Sequence, residues 1–234
     1  MVSLGKKAFS SFLAIGLLAS GLFAQDFTGS VQQDPNAGYA TYTIDFDGPP
    51  LGVSGLFLGN QLLPLPLPIP GGPLFVDPRG LMFLPPIPLN PQGKGKLQVK
   101  VQDTALLGLT MEIQAWFLDL KANFVIPNKF LALASGKAIK APVPKKPSYA
   151  MAYDSKGGDT HIQVWGEPGA KATITLKDPK GKVIGTTTVT VGPKGKSKVG
   201  AAKLSKAITA GSRWEIQYQN KPTAKPSTIA GGRF

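Results

Sequence analysis

An all-β fold of two β-sandwich domains, the second immunoglobulin-like, behind a cleaved signal peptide is the architecture this sequence predicts. Three observations predict it. Glycine (28) and proline (22) punctuate the 234 residues heavily, and no stretch beyond residue 24 sustains a helical period. Short runs with an apolar residue at every second place recur between Gly, Pro, Asn and Asp clusters, as half-buried strands require. A stretch rich in proline and lysine then separates two sets of such runs.

Residues 1–24 come first. Lys6 and Lys7 precede an apolar core from Ala8 to Phe23 whose only polar residues are Ser10, Ser11 and Ser20. Ala24 then offers a small residue at the cut, just before Gln25 and Asp26. That is the build of a secretory signal peptide, too short and wrongly flanked for a stable membrane anchor. The chain is therefore expected to be secreted or held in the cell envelope, without a membrane span after cleavage.

The first domain is placed at residues 26–137. Tyr42-Thr43-Ile44-Asp45-Phe46, Leu97-Gln98-Val99-Lys100-Val101 and the run from Leu109 to Ala115 each alternate strictly. Between them, Leu62 to Pro70 reads LLPLPLPIP. In a strand, Pro64, Pro66, Pro68 and Pro70 remove donors from one edge only, which suits an edge strand unable to recruit another chain. A polyproline II ligand for an aromatic groove is the alternative use of the same residues.

Residues 137–148, KAIKAPVPKKPS, hold three prolines, four lysines and no acid. Residues 138–147 are accordingly read as a semi-rigid linker. The second domain is placed at residues 148–220, and residues 221–234 are read as a mobile tail.

Composition removes whole classes of chemistry. With no cysteine there is no disulfide, thiolate metal site, cysteine nucleophile or lipid-modified cysteine. The single histidine, His161, alternates with Ile162 and Val164, which places it on the opposite and expectedly solvated face. Asp154, Ser155 and Asp159 lie near it in sequence, but no nucleophile elbow accompanies them. Asp45 and Asp47 share a strand face and could hold a hard cation, or simply border the Gly48-Pro49-Pro50 turn. No enzyme activity, metal or cofactor is expected.

Gly55-Leu56-Phe57-Leu58-Gly59, the run from Gly71 to Pro78, Leu107 to Thr110, Gln114-Ala115 and Ile126-Pro127-Asn128 carry a resemblance. Over Gly52 to Gly136 the chain resembles an uncharacterised domain of secreted proteins in planctomycete-type bacteria. That resemblance implies an extracellular β-sandwich without catalytic residues or a defined ligand. Ile162 to Ala170, then Ala172 to Leu176, the Asp178-Pro179-Lys180-Gly181 turn, Val183 to Val191 and Trp214 to Tyr218 are similar to bacterial immunoglobulin-like domains. Such domains act as spacers or binding modules, which is what this second resemblance implies.

Charge is divided unevenly. From Lys137 onward 18 basic residues face 5 acids, whereas residues 1–136 hold 8 of each. A half this basic attracts anionic cell-surface or matrix polymers. The candidate contacts are Lys171, Lys177, Lys180, Lys182, Lys194, Lys196 and Lys198, with solubility and blunted strand edges as their plainer use. Sequence-specific nucleic-acid binding is not expected, because arginines and stacking aromatics are few. Trp214 alternates with Ile216 and Tyr218 and belongs to a core. Trp165 and Trp116 fall on polar faces, where each could stack a sugar ring or sit at an interface.

The expected function is a secreted, non-catalytic structural or adhesive protein of the envelope or matrix. The alternative is a carbohydrate-binding module using Trp165 or Trp116. Nothing in the sequence sets the oligomeric state. Signal cleavage should leave Gln25 as the first residue of protein recovered outside the cytoplasm. N-terminal sequencing checks this, and intact Met1 in the membrane pellet is the opposing result.

Overall fold

A computed structural model describes residues 25–34, 36–102, 109–137, 146–156, 160–200 and 208–234. Residues 1–24, expected to be a signal peptide, and residues 138–145 of the expected linker lie outside the described residues. The chain is all-β: among the described residues there is no α-helix, only one 3-10 turn at Pro78–Gly80.

Sheet I joins β1 (Asp26–Asp34), β2 (Tyr39–Asp47) and β8 (Lys94–Gln102) in the order β1-β2-β8. Sheet II has nine strands. Its main path runs β16 (Lys196–Gly200), β13 (His161–Trp165), β12 (Ser148–Asp154), β11 (Leu131–Lys137), β9 (Met111–Leu118), β3 (Val53–Gly59) and β6 (Met82–Phe83). β10 (Phe124–Val125) and β7 (Ile87–Pro88) pair at its margins. Sheet III joins β15 (Val183–Thr190), β14 (Lys171–Lys177), β17 (Arg213–Gln219) and β18 (Ser227–Arg233). β4 (Leu62–Ile69) and β5 (Gly72–Val76) form a separate hairpin. All pairings are antiparallel.

Sheet II is the middle layer. Phe27, Val31, Tyr42, Ile44 and Phe46 of sheet I pack on Leu56, Ile113, Phe117, Leu131 and Leu133, forming one core. On the other face, Tyr149, Met151, Ile162 and Val164 pack on Ile174, Leu176, Trp214 and Ile216 of sheet III, forming a second core. β11 and β12 belong to both. Leu131, Leu133, Ala150 and Ala152 face the first core, while Ala132, Ala134, Tyr149 and Met151 face the second. A strand covered on both faces has no solvated side to alternate with, so these two read as continuous buried runs. Four of the eight residues are alanine, which keeps the layers close.

The expected linker thus connects two hydrogen-bonded neighbours. β11 and β12 pair over seven positions, from Leu131 opposite Asp154 to Lys137 opposite Ser148. The segment 221–234, read from sequence as a mobile tail, instead contains β18, which pairs with β17 from Arg213–Arg233 to Tyr218–Ser227. Ile229 and Phe234 within it are buried, and Phe234 lies 5.6 Å from the Tyr153 ring. These two apolar anchors outweigh the polar composition that suggested mobility.

Polar groups tie the layers at two places. Lys129 is almost fully buried and meets Asp26 and Asp154 at 2.9 Å each, fastening the start of β1 to the end of β12. Trp214 Nε1 donates to Thr110 Oγ1 at 2.6 Å. Glu112 has no such partner. It is fully buried in β9, and neither carboxylate oxygen accepts a hydrogen bond from a described residue. Burial alone pushes its carboxyl well above the ordinary Glu range.

Phe234→Ala should cost about 3–5 kcal/mol in urea unfolding, because it empties a closed site against Tyr153. Folded Glu112 keeps its proton where the unfolded chain loses it. Stability is therefore fully present below the ordinary value of 4.5 and falls as pH rises above it. Glu112→Gln should thus change little at acid pH and stabilise increasingly toward neutrality, by up to about 1.4 kcal/mol per pH unit. Urea melts of both proteins across pH measure that slope.

Candidate functional site

The seven candidate lysines separate onto two surfaces. Lys171 and Lys177 lie on the outward face of β14, with Lys180 and Lys182 in the hairpin that follows. Lys196 and Lys198 lie on β16, and Lys194 in the turn before it. Lys177 is engaged by Glu215 at 3.0 Å. The other six are exposed, and none pairs with an acid among the described residues.

The first surface holds two residues that the sequence reading left out. Arg213 sits directly opposite Arg233 on one side and Lys177 on the other, making a cationic row across three strands. Beside the row, Gly231 and Gly232 leave a cleft of about 390 Å³. Only the pairing of β18, expected to be loose tail, brings these arginines together. Farther along the face, Thr173 and Thr175 oppose Thr188 and Thr186.

The second surface is a cleft of about 330 Å³. Its floor is the sheet-I-facing side of β13 and β16. There Trp165 lies opposite Lys196, and Gln163 opposite Lys198. Its wall is β1, from Ser30 to Gln33. β1 is an edge strand of sheet I and covers β11 and β12, so β13 and β16 project beyond it. Trp165 is half-buried, packed partly against the first core and partly lining the cleft. Gln33 is 3% exposed, and neither its amide nitrogen nor its amide oxygen has a partner among the described residues.

Other sequence candidates find different places. His161, expected on a solvated face, is 3% exposed. It shares a face with Gln163 and Trp165, and with them it lines the cleft beside β1. Asp154, its neighbour in sequence, is committed to Lys129 and the Lys156 N–H, and Ser155 Oγ accepts from the Phe130 N–H. Asp159 lies outside the described residues. Asp45 and Asp47 occupy the middle strand of sheet I and pair with Lys96 at 3.6 Å and Lys94 at 2.5 Å on β8. Two cross-strand lysines thus neutralise the carboxylate pair that a hard cation would need.

Trp116 is half-buried beside a small core of Phe57, Leu74 and Ile126, 5.8 Å from the Phe124 ring. It lies flat over Gly55, where any side chain would run into the indole. Gln114, on the same face, accepts from the Phe75 N–H at 2.9 Å and donates to the Pro73 carbonyl at 2.7 Å. This side of β9 is occupied in seating the β4–β5 hairpin. In that hairpin β4 pairs, among the described residues, with β5 alone, and Pro64, Pro66 and Pro68 are exposed.

No family model matches the chain, and no curated protein matches it. Among solved structures, red sea bream transglutaminase aligns with 88% of this chain at 9% identity and a TM-score of 0.25. The chain spans 30% of that protein's length.

Proposed function

We propose that the chain is a secreted, non-catalytic structural or adhesive protein of the cell envelope or matrix, which holds anionic polymers through the basic faces of its second half. In this reading sheet I with its side of sheet II makes one β-sandwich. β12, β13, β16 and sheet III make a second, immunoglobulin-like one that extends through β18. The observation that carries the function is the set of six exposed lysines without acid partners among the described residues. Lysines left unpaired on rigid strands and tight hairpins keep their charge available to a polymer, and they spend little on breaking internal ion pairs.

A second reading, a carbohydrate-binding module using Trp165, is favoured by one specific feature. Trp165 lines an open cleft and has polar residues beside it. Trp116 supports that reading less, since its ring is taken up by Gly55 and Phe124.

The exported chain should be retained on polyanions of several chemistries, and retention should fall steeply as salt rises, because screening removes long-range attraction. Replacing Lys171, Lys180, Lys182 and Lys198 together by glutamine should shift elution to clearly lower salt without altering the melting temperature. Column retention across a salt series is the measurement. Equal retention of the four-lysine variant, or no retention on any polyanion, is the result against the reading.

A further inference from the structure

We propose that the cleft between β1 and the β13–β16 edge binds an acidic sugar unit of a polysaccharide. This rests on the polyanion reading above and narrows it to one place and one ligand chemistry.

The cleft follows from how the layers are cut. Sheet I is three strands wide, and sheet II continues past its edge by β13 and β16. Side chains on that overhanging face would be core residues if sheet I were wider. Here they are closed on one side by β1 and open on the other. The cleft is at the small end of the range for ligand sites, and no carboxylate is among the residues that line it.

Its chemistry is specific in combination. The part of Trp165 that lines the cleft offers an apolar ring to the C–H face of a pyranose. Lys196 and Lys198 are two residues apart on one strand face, so their stems start about 7 Å apart, and neither has an acid partner among the described residues. They supply positive charge for a carboxylate carried by the ring. Gln163 stands between them and the wall.

Gln33 is the group that points to a ligand rather than to a merely charged surface. A buried amide with neither donor nor acceptor paired is costly to the free protein. A sugar hydroxyl both donates and accepts, which is what a glutamine amide lacking both partners requires. A ring platform, amides for hydroxyls and ammonium groups for a carboxylate describe a uronic acid. A neutral glycan would leave the two lysines unused, and a simple polyanion would leave the indole and amide unused.

The test titrates the exported chain with oligogalacturonate, with a neutral oligosaccharide of the same length, and with polyglutamate of the same charge. Oligogalacturonate should bind more tightly than either. Trp165→Ala, and Lys196→Gln with Lys198→Gln, should each weaken it about tenfold. Gln33→Leu should weaken it too, while raising the melting temperature of the free protein, since it removes an unpaired amide. Glutamine at Lys171, Lys180 and Lys182, on the other surface, should leave oligogalacturonate binding nearly unchanged. Polyglutamate binding as tightly, insensitive to Trp165→Ala, overturns the sugar site and leaves the general polyanion reading standing. Polyglutamate binding more tightly overturns it in favour of a peptide strand added to the β1 edge. No binding by any polyanion removes both readings.

Discussion

The ladder between β11 and β12 is the constraint on which the rest of the molecule depends. Its seven residue pairs lie in a sheet whose two faces both belong to hydrophobic cores. A substitution on one face of these strands is felt by sheet I, and one on the other by sheet III. That position explains the unusual composition. Both faces must be apolar and thin, so alanine alternates with larger residues, and the polar Ser135 is buried by donating to or accepting from Tyr42 Oη at 2.5 Å. A hydrogen-bonded ladder shielded from water on both sides is also where backbone pairing is least easily exchanged for solvent.

The same layering produces the candidate site. Sheet II is a common floor, but its two covering sheets are offset. Sheet I lies over β11, β12 and the strands beyond, while the second core extends across β12 and β13. The offset leaves one face of β13 and β16 half-roofed, with Trp165, Gln163, Lys196 and Lys198 along it. Elsewhere in the fold, several buried polar residues are consumed internally. Lys129 holds Asp26 and Asp154, and Gln114 holds the β4–β5 hairpin. At the overhang Gln33 has no hydrogen-bond partner, and Lys196 and Lys198 have no acid partner, among the described residues. Unpaired polar groups gathered where a layer ends, rather than spread over the surface, separate a site from general solubility.

Strands with one solvated face were legible from the sequence. β2, β8, β14 and β17 coincide with alternating runs, and Trp214 falls in the core as its parity with Ile216 and Tyr218 required. β11 and β12 were not legible that way, because alternation vanishes when both faces are covered. The boundary between two domains was drawn through the linker, where composition changes, yet that linker joins partners in one sheet. β18 was hidden by lysines, prolines and glycines that outnumber its two anchors, Ile229 and Phe234. For the site, parity placed His161, Gln163 and Trp165 on one face, but which face is roofed depends on sheet order. Arg213 with Arg233, and Gln33 with Trp165, are long-range neighbours. No local pattern joins them.

Native-state hydrogen exchange of the β11–β12 ladder tests the central claim most directly. If one doubly covered sheet holds the molecule together, the hydrogen-bonded amides of residues 131–137 and 148–154 should be among the slowest in the chain. They should exchange only through global unfolding, with denaturant dependence equal to that of the whole protein. Exchange through this ladder faster than in β2 and β14, with a shallower denaturant dependence, would show two bodies parting between the strands and would contradict the account.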